Sequence, residues 1–345
     1  MIQGHGDDAY RFDRPLRADF SSNVYRHVDI SALKAHIASK LDVIGSYPEP
    51  EPYKLEAALA QQLGIAPESV CVTSGATEAI YLIALAFRGC ASTILQPTFS
   101  EYADACRMHN YDYDYADEAA MLPATLCPTL RGGLFWLCNP NNPDGRVIPK
   151  AELTDMITSN PDTVFIVDQS YEFFTKEPLL SPAEAVRFKN LIQLHSKTKR
   201  YAMPGLRLGY ITAAPSLTAK IRVVRMPWSV NALAIEAGLF LTANPDTAPI
   251  DLPALLAEAQ RLRTMLNDIP GVSVDDTATH FMLCHLADGS AAELKRWLMD
   301  SEGILIRDAS NFEGLAAGDF RVAAQSPQEN DLLVASIRRY QEERR

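Results

Sequence analysis

The chain has 345 residues, 47% hydrophobic and 22% charged, a globular profile too long for one small core and too short for more than two or three domains. Its formal net charge of −11 disfavours nucleic acid or an anionic membrane as partner, so an anionic small molecule would need a locally basic pocket. The six cysteines show no C-x-x-C spacing and lie mostly in apolar runs, which points to a reducing compartment and away from a disulfide frame or a zinc site.

The opening MIQGHGDDAYRFDRP is polar, so no signal peptide is expected, and no apolar run reaches the length of a membrane span. The chain reads as cytoplasmic. SYPEPEPYKL has the composition of a Pro-rich connector. Over residues 69–214, short apolar runs alternate with helical patterns: SVCVTSG, then TEAIYLIALAFRG, STILQPTF, GLFWLCNP, TVFIVDQSY, NLIQLHS and LGYITAA. Continuous apolar runs mean strands buried on both faces, which predicts a largely parallel sheet covered by helices, with its site at the carboxyl ends of the strands. Beyond about residue 229 the pattern changes. Helical spacing over 252–266 and 291–299, strands in GVSVDDTATHFMLCHL and an amphipathic ENDLLVASIRRYQEERR predict a smaller α+β domain. The expected division is a large domain over 36–235 and a small one made of 1–35 and 236–345.

Four motifs fall at the expected strand ends. Gly75, with Ala76, Thr77 and Glu78, opens a helix after a buried strand, so free N–H groups and the positive end of the dipole face the cleft. The turn LCNPNNPDG projects the Asn142 amide into the same cleft. In IVDQSY a buried strand delivers Asp168, which needs a cation or strong donor there, with Tyr171 three residues on. HSKTKRYAMPGLRLGY adds Lys197, Lys199 and Arg207 between two apolar runs. Each motif alone has a plain geometric reading as a turn or a cap. Together, a phosphate cradle, an amide, an end-of-strand carboxylate and a lysine are what a pyridoxal 5′-phosphate (PLP) site requires.

At these residues the chain resembles the fold-type I PLP enzymes of aminotransferase class I/II. S-x-[ST]-K…G-x-R, N-P-x-G, D-x-x-Y and G-A-T-E occur in the family's order and at roughly its spacing, over essentially the whole chain. The resemblance implies an α/β fold of the PLP-dependent transferase type, with a mostly parallel seven-stranded sheet in the large domain. It also chooses between the lysines. In the family pattern the reactive lysine follows Ser-x-Ser/Thr and precedes the phosphate arginine by eight residues, which fits Lys199 with Ser196 and Arg207, whereas Lys197 stands ten residues away without the prefix. By the same resemblance Lys199, Asp168 and Tyr171 are catalytic. Gly75, Ala76, Thr77, Ser196 and Arg207 serve the cofactor phosphate, Asn142 and Tyr171 its ring oxygen, and Phe99, rather than Tyr102, stacks on its ring. Tyr47 matches a tyrosine that reaches the phosphate of a neighbouring subunit, which implies a homodimer. Arg321 matches the arginine that clamps the substrate carboxylate, where a planar fork suits better than an ammonium.

Within that family the N-terminal His-Gly and YPEPEPYKLEAALA look like the branch of histidinol-phosphate aminotransferase and threonine-phosphate decarboxylase. MPWSVNALA and GILIRDASNFEGL favour the decarboxylase, because the latter places Arg307 fourteen residues before Arg321, two guanidinium groups for a small amino acid carrying both carboxylate and phosphate. The resemblance further implies that His5 and Asn23, in the N-terminal arm, help hold the substrate phosphate. The sequence departs from the family's openings at Asp7 and Asp8, which add negative charge near that phosphate, and at Gln169, Ser170 and Asp144. The implied reaction is decarboxylation of L-threonine O-3-phosphate to 1-aminopropan-2-ol O-phosphate in cobalamin synthesis. The alternatives are transamination of histidinol phosphate or a related amino acid, and a non-catalytic binding module of the same fold. Retention of Lys199, Asp168, Asn142, Tyr171 and Arg207 speaks against the last.

Overall fold

The computed structural model describes residues 6–109, 112–117 and 133–344; His5 lies outside them, as does Cys127. In chain order the strands are β1 (Ala18–Asp19), β2 (Val70–Thr73), β3 (Ser92–Leu95), β4 (Tyr113–Ala116), β5 (Leu134–Cys138), β6 (Val164–Asp168), β7 (Leu191–Ser196), β8 (Gly209–Ala213), β9 (Val272–Val274), β10 (Phe281–Leu286), β11 (Ile304–Leu305), β12 (Arg307–Asp308) and β13 (Asp319–Ala323). The apolar runs of the first half become a seven-stranded sheet in the order β2-β8-β7-β6-β5-β3-β4. All its neighbours run parallel except β8, which is antiparallel to both β2 and β7. Strands β2, β3, β5, β7 and β8 are buried at every position, as continuous apolar runs require of a sheet covered on both faces. Strand β6 departs from this only at half-buried Val164, strand β4 along most of its length. The latter lies at the edge, Asp114 is exposed, and its sequence YDYA carries no apolar run to announce it.

The second half forms a four-stranded antiparallel sheet, β12-β13-β10-β9, with the short parallel pair β1-β11 beside it. Helices Leu252–Asn267, Ala291–Glu302 and Pro327–Glu343 bury Leu262, Leu266, Leu294, Leu298, Leu333 and Ile337 against this sheet. Each such side chain contributes about 1.5–3 kcal/mol by leaving water. Asp251, Ser290 and Ser326 accept hydrogen bonds from the first turns of these helices, and Ser326 completes a capping box with Glu329.

Packing extends the large unit past the expected boundary at residue 235. Helix Ala232–Ala243 shares one apolar cluster with helices Ser31–Ser39 and Tyr53–Leu63, through Ala234, Ala237, Leu241, Leu33, Leu55 and Leu59. Gly238 allows this close approach, since a Cβ there would sit 2.6 Å from Leu55 Cδ2. An almost uniformly apolar helix gives no periodicity from which a domain limit could be read.

Candidate active site

The parallel strands stop side by side, and their ends build the floor of a cleft. Asp168 stands in register with Cys138 on one neighbour and Leu194 on the other. The Tyr102 hydroxyl donates to Asp168 Oδ2 at 2.8 Å, and the Ser170 N–H donates to Oδ1 at 2.9 Å. Burial holds the Asp168 carboxyl above its usual range, a rise that these donors and the nearby His195 offset only in part. Tyr102 is fully buried and stacked on Trp136, 5.6 Å between centroids, so it grips the carboxylate from beneath. Phe99, edge-on to Tyr102, forms the cleft wall. Nothing in the sequence signalled that Tyr102 would anchor Asp168, from which it is 66 residues distant.

One end of the cleft is the start of helix Gly75–Ala86. Gly75 has φ +81°, and a Cβ there would collide with the Arg207 guanidinium. At Gly209 a Cβ would lie 2.6 Å from the Ala76 nitrogen. The two glycines thus let Arg207 and the N–H groups at the helix start close on one point, beside Thr77 and Ser196. Arg207 itself adopts φ +58° and donates to the Pro204 carbonyl at 3.2 Å. A non-glycine residue in that conformation is strained backbone of the kind that gathers at functional sites.

Lys199 follows β7 in the short helix Lys197–Arg200 and reaches the cleft, where Nζ donates to the Ser22 carbonyl at 3.2 Å. Lys197 points elsewhere: its ammonium lies 5.3 Å from the Tyr210 ring centroid and 5.8 Å from that of Phe173. Burial pulls both amines down to about 8, with Arg321 and Arg207 adding to the effect at Lys199. Basicity therefore does not separate the two lysines. Position does.

The small sheet supplies the opposite wall. Arg307 and Arg321 stand directly across from each other on β12 and β13. Arg321 donates to Asn142 Oδ1 and to the Ser21 carbonyl; Arg307 donates to Asn311 Oδ1 at 2.7 Å and lies 5.0 Å over the Phe312 ring. Burial pulls both guanidinium groups down to about 10, and Arg321 adds to the lowering at Arg307. Arg207, Arg307, Arg321 and Lys199 thus all donate to neutral oxygens. Among the described residues, no carboxylate forms an ion pair with any of the four.

The acids of the N-terminal arm are neutralised locally. Arg26 donates to Asp7 at 2.9 Å, and Lys295 holds both oxygens of the buried Asp8 at 2.8 and 2.7 Å. Asn23 does not reach the cleft wall; it is fully buried behind it, beside Tyr171. Tyr47 is 88% exposed against Trp228 on the outer surface, so it does not line the cleft of this chain. Gly75, Ala76, Thr77, Phe99, Asn142, Asp168, Tyr171, Ser196, Lys199, Arg207, Arg307 and Arg321 all converge on one cavity of about 220 Å³ or on its immediate rim.

This donor set fits PLP. A guanidinium, two hydroxyls and a helix start suit a phosphate, a fixed carboxylate suits a protonated ring nitrogen, a phenylalanine face suits the ring, and a lysine suits the aldehyde. The arrangement is that of a PLP-dependent α/β enzyme. Residues 18–337 match the family "Aminotransferase class I and II", and the chain belongs to that family. Its cofactor is PLP. The chain is 30% identical to a histidinol-phosphate aminotransferase from Thermoanaerobacter sp. (strain X514), over 87% of this chain and 85% of the relative. It is likewise 30% identical to a threonine-phosphate decarboxylase from Salmonella typhimurium, over 93% of this chain and 90% of the relative. Among solved structures, the L-threonine-O-3-phosphate decarboxylase from Porphyromonas gingivalis superposes with a TM-score of 0.90 at 37% identity, covering 94% of this chain and 99% of that one.

Proposed function

We propose that this enzyme decarboxylates L-threonine O-3-phosphate to 1-aminopropan-2-ol O-phosphate, the side-chain linker precursor of cobalamin. The observation that carries the reading is the facing pair Arg307 and Arg321, both buried and, among the described residues, neither ion-paired with a carboxylate. Two fixed cations suit a short substrate with an anion at each end. Arg321 takes the α-carboxylate and Arg307 the phosphate. The similarity to the Porphyromonas gingivalis decarboxylase supports the same reading.

PLP, carried by Lys199, supplies an electron sink for the bond that breaks at the substrate α-carbon. Arg207, Ser196, Thr77 and the backbone at Gly75 and Ala76 hold its phosphate. Asp168, held in turn by Tyr102 and Ser170, keeps a proton on its ring nitrogen. Asn142 gives its carbonyl oxygen to Arg321, which leaves its amide N–H groups, with the Tyr171 phenol, for the ring oxygen. Arg321 and Arg307 stop the substrate carboxylate from swinging into the ring plane, so it is the C–COO⁻ bond that breaks. Lys199, at the cleft, would hold the proton that the α-carbon takes up in place of the departing CO₂.

We also propose a homodimer in the cytoplasm. Leu41, Ile44, Tyr47, Tyr53, Met226 and Trp228 are large exposed apolar side chains on the Tyr47 side of the molecule, and Cys71, Cys90, Cys106, Cys138 and Cys284 are free thiols. The second reading, transamination of histidinol phosphate, is kept alive by a relative equally close in identity. Histidinol phosphate has no carboxylate, so it would leave one of the two facing arginines without an anion. Product analysis decides between them. CO₂ and an amino-alcohol phosphate from threonine phosphate are expected; 2-oxoglutarate-dependent consumption of histidinol phosphate, with no CO₂ from threonine phosphate, would overturn the proposal.

A further inference from the structure

The arm that roofs the cleft is tied down almost residue by residue. Phe20 donates to the Leu305 carbonyl at 2.8 Å and accepts from the Ala323 N–H at 2.9 Å. The Ser21 carbonyl accepts from Arg321, and the Ser22 carbonyl from Lys199 at 3.2 Å. Gln325 Nε2 donates to the Val24 carbonyl at 3.2 Å, and the Arg26 N–H donates to Gln325 Oε1 at 3.3 Å.

Asn23 interrupts this series. Its φ is +52°, its side chain is fully buried, and neither amide atom has a hydrogen-bond partner. Against it lies His280, also fully buried, with both ring nitrogens unpartnered. The Asn23 backbone is close enough to the imidazole, and the Asn23 side chain to the Tyr171 hydroxyl, for each to be felt electrostatically, yet neither pair closes a hydrogen bond; Arg321, whose Nε is buried without a partner too, is near both His280 and Tyr171. The imidazole packs on Phe174 at 4.1 Å between centroids and edge-on to Phe281 at 5.5 Å. An apolar ring would fill that place without leaving orphaned nitrogens, each costly to bury unpaired. Burial, with Arg321 and Lys199 close by, keeps the imidazole neutral, so it has one donor and one acceptor to offer.

We propose that His280 is a positioning residue, whose neutral imidazole donates to the Asn23 carbonyl, fixes the left-handed turn of the arm and so sets Tyr171, Arg321 and Lys199 at the cleft. The inference rests on the reading of Arg321 and Tyr171 as ligand-facing groups. His280 touches no reacting atom, and its effect runs through Asn23 to the Tyr171 hydroxyl and through the Ser21 and Ser22 carbonyls to the two cations.

The test compares the holoenzyme with His280→Phe, His280→Asn, His280→Gln and Asn23→Gly, using threonine phosphate as ligand and amide hydrogen exchange over residues 20–26 as a readout that needs no substrate. Losing one neutral hydrogen bond should raise KM in His280→Phe by about threefold to tenfold, with kcat and the visible cofactor band little changed. Exchange in the arm should quicken by a similar factor. Asn or Gln, which keep a donor, should restore both, and Asn23→Gly, which keeps the carbonyl and favours the left-handed turn, should leave arm exchange close to wild type in the His280 background and quicken it only when His280 is replaced as well. Wild-type exchange and KM in His280→Phe, or an equal loss in the Phe, Asn and Gln variants, would overturn the proposal by reducing His280 to packing. If threonine phosphate fails to bind the wild-type enzyme, the substrate reading fails, and arm exchange in the same variants still decides the role of His280.

Discussion

Two pairs of arginines reach into the interior of this chain, and they are partnered in opposite ways. Beside the edge strand β2, Arg222 and Arg225 meet Glu51 and Glu56: Arg225 Nη1 lies 2.9 Å from Glu56 Oε1, with side chains 2% and 4% exposed, and Arg222 Nη2 lies 2.7 Å from Glu56 Oε2. Both arginines also donate to Glu51, and they reach the Val70 and Val72 carbonyls of β2. Two cations face two anions, and the network stitches helix Tyr53–Leu63 to the sheet. In the cleft, Arg307 and Arg321 are about as deeply buried, at 3% and 4%, but receive only neutral oxygens. Arg222 is half-buried, but Arg225, Arg307 and Arg321 are alike in burial, so pairing is what tells those three apart. A buried guanidinium with its carboxylate belongs to the architecture; one without awaits an anion from outside.

The largest effect expected is at the cleft lysine. Lys199→Ala should lower turnover by roughly four orders of magnitude and remove the visible band of the bound cofactor, whereas Lys197→Ala should spare both. Borohydride reduction followed by peptide mapping checks the assignment, and a pyridoxyl group on Lys197 would refute it. Next comes the paired cluster. Arg225→Ala removes one of the two cations on Glu56, leaving Arg222 and the Val72 N–H, and should lower the unfolding free energy by about 1.5–3 kcal/mol in denaturant titration, with KM little changed. Arg307→Ala removes a charge that has no partner, so its stability should hold or rise. A large stability loss in both variants would erase the distinction.

Comparable or smaller effects are expected at the margin of the site. If Tyr47 serves the cofactor phosphate of a partner subunit, Tyr47→Phe should weaken PLP retention by about 1.5–3 kcal/mol while the dimer persists in sedimentation; an active monomer would contradict it. The smallest change is with pH. Because burial and the neighbouring cations hold Lys199 at about 8, its neutral, nucleophilic form grows as pH rises through that value. The rate at which apoenzyme takes up PLP should rise through about pH 8 and then level off, in Lys197→Met as in the wild type. A flat profile would assign the titration to another group.

The parts of the site borne by the large sheet were legible because sequence encodes them locally: an apolar run, a glycine or Asn-Pro turn, then the functional side chain. Asp168, Asn142 and Lys199 announce themselves in this way. The Tyr102–Asp168 bond and the grip of Arg321 on the Ser21 carbonyl cross 66 and 300 residues of chain, and the second ends on a backbone oxygen that no residue type signals. His280 was equally silent, since a histidine in THFMLCHL reads as a core residue until both its nitrogens are found without partners. The edge strand β4 escaped for the opposite reason: half-exposed, it needs no apolar run.

The central claim, that the unpaired arginines hold the two anionic ends of one substrate, is tested most directly by a double-mutant cycle between ligand and protein. Wild-type enzyme and Arg307→Ala are each titrated with threonine phosphate and with threonine, following the visible band of the cofactor. If Arg307 receives the phosphate, removing the phosphate from the ligand, removing Arg307, or removing both should cost about the same, on the order of tenfold to a hundredfold in affinity, with little added by the second change. Two penalties that simply multiply would contradict the claim, because they would mean that Arg307 and the phosphate never meet.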